Sequence, residues 1–135
     1  MKGVYVLLIQ LTNDVDVGIG VLGTRHFAKG LYAYVGSAQT NLEKRINRHF
    51  RKEKRRFWHI DYLLANHAAK ILKVLFKKAD RTEECKIARE ISRRNEAVPS
   101  FGSSDCNCKS HLFHIEKPDS LQKEMTELQT SELSL

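Results

Sequence analysis

The sequence predicts a mixed α/β (α+β) domain, a small sheet flanked by about three helices. Three observations carry that reading: short runs of apolar residues with a period of two, helical stripes that open on capping residues, and a length of 135 residues that suits one core. Gly3 to Leu11 places Tyr5, Leu7 and Ile9 on one face and Val4, Val6 and Leu8 on the other. Apolar character on both faces makes it a central strand, covered twice. Val15, Val17, Ile19 and Val21 alternate with Asp16, Gly18 and Gly20 and predict a second strand. Gly23 and Lys29-Gly30 punctuate a loop before a third strand, Leu31 to Gly36, with Tyr32 and Tyr34 sharing a face.

Thr40 and Glu43 have the spacing of a capping box, so the first helix opens there. Leu42, Ile46 and Phe50 form its buried stripe, while Arg45, Arg48, His49 and Lys52 line up on another face. A second helix is expected from about Trp58 to Ala69, burying Ile60, Leu63 and Leu64, followed by a strand over Ile71 to Phe76. Thr82 caps a third helix with Glu83 and Glu84 in its first turn, where the helix dipole favours acids. Glu84 lies at helical spacing from the apolar Ile87, Ala88 and Ile91, so it points with the core side. A carboxylate there needs a cation or a metal. Val98 to Cys108 reads as a loop and Leu112 to Ile115 as a short last strand. Beyond Pro118, Leu121, Met125 and Leu128 make at most a weak amphipathic helix. Residues 1–116 are therefore read as the domain and 117–135 as an acidic, flexible tail.

The apolar fraction of 41% excludes wholesale disorder, and no apolar run approaches the length of a membrane span. The short first strand does not resemble a signal peptide, so a cytoplasmic protein with no membrane partner is expected. Three cysteines suit reduced thiols or a metal site better than a disulfide framework. The net charge is +7, but residues 117–135 carry −2, leaving +9 on residues 1–116. Lys44 to Arg56 alone holds eight Lys or Arg against Glu53. Such a segment is the footprint of a polyanion binder, or simply a solvated helix face.

If the basic helix meets a phosphate backbone, Arg45 and Arg48 make forked bonds to phosphate oxygens, and Lys44, Arg51, Lys52, Lys54, Arg55 and Arg56 add charge. Cleavage then needs a nucleophile activator, charge stabilisation and usually a divalent metal. An inward Glu84 suits Mg²⁺. Tyr5 and Tyr34 lie on strands that can pair, and a nearby arginine or metal lowers a phenol's pKa toward that of a general base. Tyrosines on strands are also ordinary core packing. Cys106-x-Cys108-x₂-His111, with Cys85, offers four zinc ligands, against small buried thiols as the plainer reading. Ser103, Ser104 and Asp105 either hold the substrate side of a site or make turns.

Gly3-Val4-Tyr5, then Tyr34-Val35-Gly36-Ser37-Ala38, then Leu42, Arg45 and Arg48-His49, resemble the GIY-YIG nuclease superfamily. The strings Trp58-His59-Ile60-Asp61-Tyr62-Leu63-Leu64, Glu84-Cys85 and Phe101-Gly102-Ser103-Ser104-Asp105-Cys106 resemble an uncharacterised archaeal and bacterial branch, some members of which are fused to an endonuclease III-type glycosylase domain. The resemblance spans residues 3 to about 114. It implies a mainly antiparallel sheet that presents Tyr5 and Tyr34 beside a helical Arg45, with Glu84 holding one Mg²⁺ or Mn²⁺ ion. It further implies site roles for His49 and His59, and a Gly36 that clears the way for the scissile phosphate beside Ser37. The function implied is metal-dependent endonuclease cleavage of DNA in repair or recombination, with a repair protein as a possible partner and RNA not excluded as substrate. The alternative is a non-catalytic nucleic-acid-binding module on the same fold. Two features depart from the nucleases. A stretch of 28 residues separates Tyr5 from Tyr34, more than usual, and the late asparagine of several active members is matched only by Asn95 or Asn107.

Overall fold

The computed structural model describes residues 2–103, 108–116 and 125–128. These form an α+β fold built on a six-stranded antiparallel sheet. Its strands are β1 (Gly3–Leu11), β4 (Gly30–Ala38), β5 (Ala69–Lys77), β6 (Glu96–Ala97), β7 (Leu112–Ile115) and β8 (Thr126–Leu128), in the order β6-β7-β4-β1-β5-β8. β2 (Val15–Gly18) and β3 (Thr24–Phe27) pair separately, and the helices are α1 (Leu42–Phe50), α2 (His59–Leu64) and α3 (Thr82–Ser92).

β1 is central, as its two apolar faces require. Tyr5, Leu7 and Ile9 pack with Leu42 and Ile46 of α1 and with Ile60 and Leu63 of α2. Val4, Val6 and Leu8 pack with Ile87, Ala88 and Ile91 of α3. In the β1–β4 ladder Tyr5 stands opposite Gly36 and Leu7 opposite Tyr34, so the two tyrosines are diagonal neighbours on one face. Among the described residues no helix is long and apolar enough to cross a membrane.

Several expectations are corrected. The second strand stops at Gly18; Ile19 turns inward and is buried, and Val21 sits 98% exposed on a 3₁₀ turn, Gly20–Leu22. The segment read as a loop contains β3, which closes a hairpin on β2 and sends Phe27 into the core. α1 is capped by Asn41, whose Oδ1 accepts from the Lys44 N–H at 2.9 Å, one residue after Thr40. Lys52 lies beyond the end of that helix and His49 is buried, so they do not share an exposed face with Arg45 and Arg48. α2 ends at Leu64, because Asn66 Oδ1 takes the Ala68 N–H at 2.9 Å and turns the chain into β5. The cap residue of α3 is Arg81, which makes no side-chain cap bond; Asp80 before it accepts from the Thr82 backbone N–H at 3.0 Å, and Thr82 is already helical. The tail is corrected too. Thr126–Leu128 is extended and pairs with Val74–Phe76 of β5, so part of 117–135 belongs to the sheet. Its strand covers an edge of β5 that would otherwise expose unpaired backbone groups, and Leu128 enters the core. Residues 117–124, which include the rest of the expected amphipathic helix, lie outside the described residues.

Candidate active site

Tyr5, Tyr34, Gly36, Ser37, Arg45, His59 and Glu84 line one cavity of about 460 Å³. Strand parity brings the two phenols together, α1 supplies Arg45, the start of α2 supplies His59, and the first turn of α3 supplies Glu84. Bonds at the end of β4 tie these parts. Arg45 Nη1 donates to the Ser37 carbonyl at 2.9 Å, and the Ser37 hydroxyl donates to Glu84 Oε2 at 2.8 Å. The other Glu84 oxygen stands 3.1 Å from His111 Nδ1. Glu84 still lines the cavity, with its side chain 15% exposed. A single hard carboxylate with water access fits one divalent ion such as Mg²⁺ or Mn²⁺.

Tyr5 Oη lies 2.6 Å from His49 Nε2, inside the core. The proximity of Arg45, a donor only, leaves the phenol's own proton for His49. The expectation of an acidic phenol is reversed. Burial pushes the Tyr5 hydroxyl well up, with Arg45 opposing but not prevailing, and burial together with Tyr5 and Glu84 does the same to Tyr34. Both rings are neutral phenols at pH 7 in the chain alone. His59 accepts the Gly102 N–H on Nδ1 at 2.8 Å, which places its ring proton on Nε2. Its pKa is lowered, first by burial and then by Arg25.

Gly36 has a use that the resemblance did not imply. A Cβ there would meet Cζ and Oη of Tyr5 at 2.5 Å, so the glycine makes room for the tyrosine ring directly across the ladder.

The basic segment divides in two. Arg48 makes a two-pronged pair with the buried Asp61, at 2.8 and 2.9 Å. Lys52 Nζ donates to the carbonyls of Leu64, Asn66 and Ala69, at 2.8, 3.2 and 2.7 Å. Lys54 Nζ donates to the Arg48 and His49 carbonyls at the end of α1, and burial beside Arg48, Lys52 and Arg51 pushes its pKa down to about 8. These three cations fasten the fold to itself: Arg48 and Lys54 are partly buried, and Lys52, although exposed, is held by carbonyls. Lys44, Arg51, Arg55 and Arg56 are exposed.

Sequence reasoning passed over Trp58, Phe57, Arg81 and Thr40 as cavity residues. The guanidinium groups of Arg45 and Arg48 lie 4.3 and 4.4 Å from the Trp58 ring centre, which orients Arg45 toward the cavity. The tryptophan followed by a histidine at a helix start was the available signal. Asn95 is remote: its amide donates to the Ile91 carbonyl at the far end of α3. Cys85, Cys108 and His111 lie together, whereas Ser104, Asp105, Cys106 and Asn107 lie outside the described residues.

The buried imidazole gives a pH prediction. Burial, reinforced by Lys54, Arg48 and Arg45, lowers the pKa of His49 from 6.5 to about 3. Below pH 6.5 the unfolded chain binds a proton that the folded chain refuses, so stability rises with pH through this window and is lost as pH falls. The loss is about 2 kcal/mol at pH 5. Urea midpoints at pH 7 and pH 5 should therefore differ less in His49→Gln than in the native chain. Equal differences would show that His49 takes its proton while folded.

No curated protein and no solved structure matches the chain. One family does, over residues 4–133, and the chain belongs to it: domain of unknown function DUF123.

Proposed function

We propose that this protein is a metal-dependent endonuclease of GIY-YIG type that hydrolyses phosphodiester bonds in DNA, and that it acts in the cytoplasm. The observation that carries the reading is the convergence of Tyr5, Tyr34, Arg45 and Glu84 on one cavity, from four elements far apart along the chain. Glu84 would hold a Mg²⁺ or Mn²⁺ ion, which supplies positive charge against the phosphate oxygens. Arg45, fixed by the Ser37 carbonyl and Trp58, faces the negative charge that grows on the phosphorus centre. Tyr5 directs its proton to His49 and presents an oxygen lone pair that orients the attacking water. His59 offers its Nε2–H to a phosphate oxygen. Lys44, Arg51, Arg55 and Arg56 supply the exposed charge that docks the backbone, and the 78%-exposed Phe57 offers a ring for an unpaired base.

The test is nicking of supercoiled plasmid and branched DNA with Mg²⁺ or Mn²⁺. Arg45→Ala and Glu84→Gln should each slow it by about 100-fold. Absence of nicking with either ion, or nicking that survives both changes, overturns the reading. Salt-sensitive DNA binding without nicking would leave the binding module in its place.

A further inference from the structure

We propose that Cys85, Cys108 and His111 form a zinc(II) site set back to back with the cavity, distinct from the ion that Glu84 would hold. Their ligand atoms all lie within 4.8 Å of one another. Cys85 Sγ stands 3.9 Å from His111 Nε2. A tetrahedral zinc, with its usual bond lengths to sulfur and nitrogen, separates the two by about 3.6 Å. The three side chains come from two places: Cys85 follows Glu84 on α3, and Cys108 and His111 lie three residues apart on the connection between β6 and β7. Zinc would therefore join α3 to that connection.

The chemistry selects the ion. Two thiols and an imidazole are a soft donor set, suited to zinc and unsuited to magnesium. The far side of the imidazole supports this independently. Metal-bound histidines usually give their other ring N–H to a carboxylate, which fixes the tautomer and raises the basicity of the ligating nitrogen. His111 Nδ1 stands 3.1 Å from Glu84 Oε1, within ion-pair distance although not in hydrogen-bond geometry, while Nε2 faces Cys85. The ring is also held in place: its backbone N–H donates to the Phe101 carbonyl at 2.8 Å, and its carbonyl accepts the Val35 N–H at 2.9 Å. With only 2% of the residue exposed, the imidazole sits at a site already shaped. Binding would release the two thiol protons to solvent and leave two thiolates on the ion.

The inference stands apart from the nuclease reading, and its test needs no DNA. The full chain, stripped with a chelator and kept reduced, is titrated with Co²⁺ without oxygen. Expected are a sulfur-to-cobalt charge-transfer band and the strong visible bands of tetrahedral cobalt, both saturating at one equivalent and erased by Zn²⁺. Cys85→Ser and Cys108→Ser should each weaken the band and lower zinc affinity at least tenfold. Glu84→Gln should keep the band and lose about tenfold in affinity, as outer partners of metal ligands do. If the serine variants fail to fold, the native chain's cobalt spectrum decides alone. A chain that takes up no cobalt, cobalt bound without a sulfur band, or folded serine variants that bind like the native chain would each overturn the proposal.

Discussion

Replacing Asp61 by alanine is expected to destabilise the chain by about 3–5 kcal/mol, the cost of breaking a buried charge pair from one side. Asp61 is wholly buried and takes four hydrogen bonds. Arg48 gives two, at 2.8 and 2.9 Å, and the backbone N–H groups of Phe57 and Trp58 give the others, at 2.8 and 2.9 Å. Alanine would leave a guanidinium and two amides short of an acceptor at the start of α2, where Trp58 is positioned. Burial alone would raise the Asp61 pKa, but the bonds from Arg48, Trp58 and Phe57 outweigh it and hold the carboxyl below its ordinary value. The stabilisation is therefore present at neutral pH and lost only as pH falls through that lowered pKa. Urea unfolding measures the change. Asp61→Asn, which keeps one acceptor oxygen and no charge, should fall between native and alanine; a loss below about 1 kcal/mol for alanine would contradict this account.

Asp61 also shows what the sequence left unreadable. The run from Lys44 to Arg56 announces its charge, but its spacing does not say which cations will find a partner inside the fold. Arg48 finds one 13 residues away, and Lys52 finds three carbonyls at the α2–β5 connection. Strand parity is local, so the two faces of β1 were legible from alternation alone, whereas Tyr34 on β4 joins Tyr5 on one face through the β1–β4 register. Glu84 was legible as an inward acid, whereas its bond to Ser37 depends on how far the first turn of α3 projects past β4. Sequence spacing holds no record of that distance. The β2–β3 hairpin was missed because Thr24 to Phe27 lies between glycines that suggest a loop. β8 was missed because three residues carry too short a pattern to show period two.

Gly36→Ala is expected to cost about 3 kcal/mol, at the upper end for an added methyl in a packed core. The contact that causes it is specific. A Cβ at this position would stand 2.5 Å from both Cζ and Oη of Tyr5 and 2.9 Å from Cε2. The ring is 1% exposed, and its hydroxyl is tied to His49 at 2.6 Å, so it cannot swing aside without losing that bond. A double-mutant cycle separates this cause from clearance for a substrate phosphate. If the glycine serves the ring, Gly36→Ala should be milder in a Tyr5→Leu background by about 1–2 kcal/mol, a coupling within the range for residues in contact. If it serves only an incoming phosphate, the two stability changes should add, because nothing in the free protein would connect them. The register favours coupling: Gly36 is the residue paired with Tyr5, and it is the added atom, not the backbone angle, that the site refuses.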